Sequence, residues 1–442
     1  MAATLLTTQD VNWNLERLAF NILVDQQPAG IALPRSADEV SDVIRSAAAD
    51  GKRVAAQRTG HNAAPLGSLA NTVLLRTGGL GGVEIDADSR TARVGAGALW
   101  DDVVPRASEL GLAAQHGSSP NVGIAGYMLG GGVSFYGRKH GIACNHVTAI
   151  ELVNGTGEQI RVDAQNEPDL FWALRGGGGS FGVVTTLEFD LLPLPEIFAG
   201  ALFFSAEQAR DVLHGWNEWT SNAPEELTSA GRLLNFPPIP EIPEPFRGQS
   251  FVVLEVIYCG NPADGEGLVA PLRELGTVGM DTMAVQPPAG IAELHMDPPD
   301  PVPYASASLL TNELPAAAID AMLEAVGPGS GSQLLLAELR HTAGAISRAL
   351  QGAGALASLP GAFLAFGAGF VPVPEAMAPT RAWLAAFKAA LEPYVAGNYL
   401  NFVEEPFDIT RIFPPDVLDR LREVKQRYDP ENLFHSNHPV TA

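Results

Sequence analysis

Four segments carry residues whose types and spacing could do chemistry. The first, Gln57-Arg58-Thr59-Gly60-His61-Asn62, opens a loop that runs to Gly67 after the short apolar stretch Val54–Ala56. Gly60 allows a tight turn, and successive N–H groups in such a turn make an anion-binding nest. The loop is neither a GxxxxGK[ST] phosphate loop nor a G-x-G-x-x-G fingerprint. His61 stands at its apex, where it is either an idle loop residue or a ligand-bonding group. The second segment places Gly123, Gly126, Gly130, Gly131 and Gly132 within ten residues, mixed with Ile, Tyr, Met and Leu. This predicts a loop entering a short glycine-lined helix that either packs closely on a strand or faces a pyrophosphate. The third, Arg175-Gly-Gly-Gly-Gly-Ser-Phe-Gly182, is either a tight crossover or a cover over an adenine or ribose. The fourth, residues 333–342, reads as a strand with Glu338 and Arg340 on one face and His341 on the other.

The elements that must position these groups fall into two styles. Up to about residue 195, short strands alternate with short helices. Ser36 and Glu39 form a capping box ahead of an apolar run through Val40, Val43 and Ile44, and Gly51 stands at the helix end. Residues 72–77 read as a strand, and 82–88 with 91–97 as a hairpin around Ser89. A helix from about Leu99 to Gly111 carries Pro105 as a kink. Residues 147–162 read as strand, Asn154-Gly155 turn, strand, and 181–194 as one long strand. From about 196 to 395 the pattern changes. Helices at 206–221, 315–326 and 374–391 accompany long strands at 249–258, 333–342 and 362–371, which predicts one large antiparallel sheet with helices on one side. Two Pro-rich stretches, 237–245 and 296–303, read as rigid surface connections. The tail predicts a helix near 414–427 followed by Tyr-Asp-Pro-Glu-Asn-Leu-Phe.

Composition bounds the partners. The chain has 442 residues, 46% hydrophobic and 17% charged, with a formal net charge of −23. Such length allows two or three domains with sizeable cores. An acidic surface repels phosphate backbones and anionic lipid, so neither nucleic acid nor a membrane surface is an expected partner. Two cysteines, Cys144 and Cys259, give no disulfide framework and no CxxC metal site. With no secretory leader pattern and no 18-residue apolar run, the expectation is a cytoplasmic chain. An assembly of identical chains is left open.

In their order and spacing the histidine loop and the two glycine clusters resemble the FAD domain of the vanillyl-alcohol-oxidase superfamily, the PCMH-type FAD fold. Tyr399-Leu400-Asn401-Phe402 and the ending Tyr-Asp-Pro-Glu-Asn-Leu-Phe-His-Ser-Asn437 resemble the signatures of its berberine-bridge-enzyme-like branch. The likeness covers about 30–195 and 396–442. It implies an α+β fold: a PCMH-type two-part FAD-binding domain (1–195, completed by 396–442) plus an antiparallel-sheet substrate domain backed by helices (196–395).

The resemblance further implies an FAD-dependent oxidase or dehydrogenase of a small organic substrate (an alcohol, sugar or secondary metabolite). The substrate gives a hydride to flavin N5, and dioxygen takes the electrons. A redox-neutral cyclase that keeps FAD, and a non-catalytic flavin-binding protein, are the alternatives. Gln57, Arg58, Thr59, Gly60, His61, Asn62 and Gly67 match the cofactor-binding loop, although Gln57 stands for an Arg and Thr59 for a Gly. His61 falls on the histidine bonded to the flavin 8α-methyl. Ser119 stands where many relatives carry a second, cysteinyl link, so a single link is expected. Cys144 falls on a position that is usually Ala. Ser118, Val122, Gly123, Gly126, Tyr127, Gly130, Ile142, Val184, Asn401 and Asn437 match other residues near the cofactor. Tyr399 is the first candidate for the base that removes an O–H or N–H proton, with Asn401 beside it on an extended strand. Glu338 and His341 are held in reserve.

Overall fold

The computed structural model describes residues 3–240 and 242–441. A four-stranded sheet, in the order Thr4–Leu6, Gly30–Leu33, Thr72–Arg76, Arg53–Gln57, starts the chain. Its last two pairings are parallel, and the helix Ala37–Ala49 supplies the crossover. That helix starts where Ser36 Oγ accepts from the Glu39 N–H at 3.2 Å. The expected capping box is shifted by one residue, because Glu39 Oε2 accepts from Arg35 N rather than from Ser36 N. The helix ends at Asp50, and Gly51 follows at φ +66°, the left-handed C-terminal stop.

A five-stranded antiparallel sheet follows, in the order Val83–Asp86, Thr91–Gly95, Val183–Asp190, Val147–Val153, Gln159–Asp163. The run expected as one strand over 181–194 divides. Val183–Asp190 stays in this sheet, while Leu192–Pro193 pairs with Leu112–Ala113 in a separate ribbon. Proline cannot donate to a ladder, which suits it to a strand end. These two sheets and the helices Trp100–Glu109 and Pro415–Tyr428 share one apolar core that includes Trp100, Phe181, Phe189 and Leu421. The C-terminal helix is tied to it by a buried ion pair. Lys425 Nζ donates to the Ser180 carbonyl at 2.9 Å and to Asp429, whose carboxylate accepts from Leu433 N and Phe434 N at 2.7 and 3.0 Å. The Tyr-Asp-Pro-Glu-Asn-Leu-Phe turn is held by that carboxylate.

The middle of the chain forms a nine-stranded antiparallel sheet. Its central strands run Ile197–Ser205, Ser250–Tyr258, Leu227–Asn235, Leu336–His341, Phe363–Phe370, Tyr304–Thr311. The two-residue period of a strand gives the sheet two different faces. Leu202, Phe204, Leu233, Leu339 and Ala365 pack under the helices Ala209–Thr220, Ala316–Val326 and Met377–Leu391, around the buried Trp216. Ala201, Phe203, Leu234, Leu336 and Ala368 face the other way, with Phe236, Phe246 and Phe366 against them. That second face looks toward the glycine-rich segments. Among the described residues no helix is long and apolar enough to cross a membrane.

Candidate active site

A cavity of about 1240 Å³ lies between this sheet face and the glycine-rich segments. It exceeds the roughly 300–1,000 Å³ of an ordinary ligand pocket. Gln57, Arg58, Thr59, Gly60, His61, Asn62, Ser118, Ser119, Val122, Gly123, Gly126, Tyr127, Gly130, Val184, Tyr399, Asn401 and Asn437 all reach its wall. The four-glycine crossover contributes Gly178 and Gly179.

The wall is built to admit a long ligand close to backbone. At Gly126 and Gly178 a Cβ would meet nothing within 4 Å, so a side chain there would occupy cavity rather than protein. Gly60 has φ +79° and lies against Gln57 and Ala19. Among the described residues the N–H groups of Thr59, Gly60, His61 and Asn62 meet no protein acceptor, which leaves a row of donors suited to an anionic group. Arg58 Nε fixes the loop to the Gly97 carbonyl at 2.6 Å. Asn62 joins it to the C-terminal segment. Its Nδ2 lies 3.1 Å from the carbonyls of Leu400, Asn401 and Val403, and its Oδ1 accepts from Asn437 Nδ2 at 3.1 Å.

His61 stacks on Phe20, with ring centroids 3.8 Å apart. Its Nε2 lies 3.0 Å from Asn121 Oδ1, which also accepts from the Ser119 hydroxyl at 2.8 Å. Burial pushes the imidazole down to about 4, against the opposing pull of Asn121. The ring is therefore neutral near pH 7. With the Nε2 side turned to Asn121, Nδ1 is the nitrogen left without a protein partner among the described residues. Asn121 Nδ2 in turn donates to the carbonyls of Pro298 and Pro299. The Pro-rich stretches run along the surface as expected, with Pro238, Pro240, Pro243 and Pro299 exposed, but they also wall the cavity: Pro237, Ile239, Pro243, Met296, Pro298 and Pro299 line it. Proline's fixed φ makes a stiff wall with little entropy to lose.

Leu400–Phe402 forms a 3-10 turn, not the expected extended strand. Asn401 folds back, and its Nδ2 donates to Tyr399 Oη and to the Tyr127 carbonyl, both at 2.9 Å. Its side chain fills the space beside Gly130 that a Cβ would need. Tyr399 is 1% exposed. Its oxygen also receives the N–H groups of Gly132 and Val133 at 2.9 and 3.0 Å. Burial pushes the phenol above its usual value, and these three donors only partly oppose it.

Four expected site residues stand off the wall. Gly67, at φ +64°, closes the 3-10 turn Ala64–Leu66. Ile142 is buried in the apolar core, with its side chain beneath Gly131. His341 lies on the helix side of its strand, stacked on Phe363 and 2.7 Å from Arg138 Nη1, and burial pushes it down to about 3. Glu338 faces the cavity side but is enclosed in a charge cluster. Arg340 Nε donates to its Oε1 at 2.8 Å, and His295 Nε2 and Arg232 Nε lie 3.1 and 3.4 Å from its Oε2. Burial alone would raise this carboxyl, but Arg340, His295 and Arg232 hold it far below the usual carboxylate range. Neither group can accept a proton near neutrality.

Sequence reasoning missed several wall residues. Glu404 is half-buried and accepts from Tyr304 Oη at 2.9 Å. Burial pushes its carboxyl up to about 7, against the hydrogen bonds it receives. The available signal was its place two residues after Phe402. The cluster partners Arg232 and His295 come from two separate segments, and nothing local in the sequence announces them. His295 Nδ1 lies 2.8 Å from Glu255 Oε2. Burial and Arg232 disfavour its charge, but Glu255, Asp297 and Glu338 outweigh them and raise it to about 9.

Comparison with known proteins agrees with this geometry. Residues 28–163 match the FAD binding domain family, and residues 398–441 match the berberine and berberine-like family. The (R)-6-hydroxynicotine oxidase of Paenarthrobacter nicotinovorans is 30% identical over 94% of this chain and 91% of its own. The structure of 6-hydroxy-D-nicotine oxidase from Arthrobacter nicotinovorans superposes with a TM-score of 0.84 at 25% identity, covering 99% of this chain and 97% of that one. The glucooligosaccharide oxidase of Acremonium strictum, which holds a 6-S-cysteinyl, 8α-N1-histidyl FAD, shares the fold with a TM-score of 0.80 at 21% identity, over 100% of this chain and 98% of that one. A glycine-lined cavity with a row of free backbone donors, a neutral histidine at one wall and matching domains at both ends of the chain lead to one assignment: the chain belongs to the berberine-bridge-enzyme-like branch of the vanillyl-alcohol-oxidase superfamily and is an FAD-dependent oxidoreductase of small organic substrates.

Proposed function

We propose that this protein is an oxidase whose FAD is held in the glycine-lined half of the cavity through one covalent bond, to His61 Nδ1, and whose substrate lies between that half and the nine-stranded sheet. In this reading residues 1–195 and 396–442 form the cofactor part and 196–395 the substrate part. The observation that carries the single link is the Asn121 contact. It occupies the Nε2 side of a neutral imidazole, leaving Nδ1 as the nucleophile, and it ties up Ser119, the hydroxyl that stands where a second link would form. When bound, FAD supplies a two-electron acceptor that takes a hydride from a substrate carbon and passes the electrons to dioxygen.

The chain's own part is to bind, orient and take a proton. Glu404 is the proton acceptor in this reading. Its carboxylate reaches the cavity, no cation pairs with it among the described residues, and a value near 7 suits a general base at neutral pH. As the substrate C–H bond breaks with its electron pair, the O–H or N–H proton passes to Glu404 and leaves a carbonyl or imine. Tyr304 aims the carboxylate. Tyr399 serves as an acceptor that locks Gly132, Val133 and Asn401, because a buried phenol raised above its usual value is a poor base at pH 7. Phe236, Phe246, Phe366 and Phe402 line the substrate half and exclude water.

The test is an anaerobic substrate panel followed by admission of air. Bleaching of the flavin by one substrate, then peroxide release on aeration, is the expected result. Turnover with a flavin that stays oxidised throughout would overturn the oxidase reading in favour of redox-neutral chemistry.

A further inference from the structure

Arg340 lies on the cavity wall yet is only 2% exposed. Two contacts and the strand backbone fix its guanidinium. Nε donates to Glu338 Oε1 at 2.8 Å, the plane lies over the Phe135 ring with Cζ 4.6 Å from the centroid, and the strand Leu336–His341 sets the backbone. Among the described residues neither Nη1 nor Nη2 has a hydrogen-bond acceptor. Neither nitrogen is sealed off by protein, so both sets of donors open onto the cavity. Glu338 does not use them, since it bonds Nε and spends its other oxygen on His295 and Arg232. Asp297 also lines the cavity, but it faces His295 Nε2 at 3.9 Å. Arg340 is therefore a rigid two-pronged donor, already aimed, on a wall whose neighbours include Leu336 and Phe366.

We propose that Arg340 is the specificity-determining anchor of the substrate, which is an aromatic or similarly apolar molecule bearing a carboxylate. The two Nη groups match the two oxygens of a carboxylate in spacing and planarity, and charge-assisted bidentate pairs are both strong and directional. A neutral carbonyl or hydroxyl would satisfy one prong and leave the other unpaired. This anchor rests on the reading of the cavity as a substrate site. It names the class of substrate and leaves open which bond is oxidised.

The experiment compares 2-naphthoate with its neutral isostere 2-naphthamide, titrated into the holoenzyme and followed by calorimetry and by perturbation of the flavin spectrum. Wild type is expected to bind the acid at least about tenfold more tightly than the amide, and Arg340→Met to weaken the acid by about 10- to 100-fold, the scale of hydrogen bonds to charged groups, while changing the amide little. Arg340→Lys keeps the charge beside Glu338 and guards against a variant that fails to fold. It is expected to lose most of the preference for the acid, because an ammonium has no fork. Equal binding of acid and amide by wild type, or an Arg340→Lys variant indistinguishable from wild type, would overturn the proposal. Calorimetric binding does not require turnover. A protein that prefers the acid but oxidises no carboxylate-bearing compound counts against the oxidase reading and not against the anchor.

Discussion

Tyr304 Oη donates to Glu404 Oε1 across 2.9 Å, joining the first residue of a sheet strand to the segment that follows Tyr399-Leu400-Asn401-Phe402. The contact brings a phenol from the sheet part of the fold to a carboxylate of the C-terminal segment, at the boundary where substrate and cofactor would meet. The hydrogen bond favours the ionised carboxylate, while burial disfavours it more strongly. The balance leaves a group that changes charge near neutral pH.

The first prediction is a pH limb. A base must be ionised to act, so the rate of flavin reduction should rise with pH through about 7, where Glu404 loses its proton. Glu404→Gln should abolish that limb and slow reduction by about 10²–10⁴-fold, with FAD content retained. Anaerobic stopped-flow across pH 5–9 measures both. A Gln variant with an unchanged limb would move the base elsewhere.

His61 carries the second. Denatured wild-type protein should show one FAD adduct by intact mass, His61→Ala none, and Cys144→Ala the wild-type value. Burial pushes the Cys144 thiol up to about 12, so it holds its proton and does not attack. Asn121→Ala should slow formation of the adduct, since the imidazole loses the partner that holds its Nε2 side. His61→Ala should also lower the flavin reduction potential and slow reduction more than it weakens substrate binding.

Tyr399→Phe separates packing from proton transfer. Phenylalanine keeps the ring but leaves the Gly132, Val133 and Asn401 donors without an acceptor. Each buried orphan costs about 1–3 kcal/mol. Loss of stability in denaturant titration is expected, with a smaller effect on flavin reduction than in Glu404→Gln. The reverse order would restore Tyr399 as the base.

Lys425 and Asp429 are each 1% exposed at the side chain. Lys425→Met removes the ion-pair partner of the buried Asp429, and breaking such a pair costs about 3–5 kcal/mol. The C-terminal turn should loosen with it. The expected readouts are a lower denaturant midpoint and faster amide exchange at Leu433 and Phe434, whose N–H groups Asp429 accepts.

The sequence by itself determined what local rules and motif order can determine. The helix after Ser36 was legible because a capping serine and a terminal glycine act on backbone groups within a few residues. The two faces of the large sheet were legible in part because side chains alternate with period two, which put Glu338 and Arg340 opposite His341. The histidine loop and glycine clusters were legible as an ordered set, since a cofactor approached by backbone requires glycine at fixed places along the chain. What only the tertiary structure decided were the contacts between segments distant in sequence. Asn121 reaches His61 across sixty positions, and Tyr304 reaches Glu404 across one hundred. The cluster of Arg232, Glu255, His295 and Glu338 assembles from four segments. Burial then set the chemistry. Removing water and adding a neighbour's charge made Glu338 an unreactive ion, raised Glu404 into the neutral range and pushed the Tyr399 phenol out of it. A residue's type fixes its ordinary pKa, but its neighbours and its distance from solvent fix the working one, and those exist only once the chain has folded.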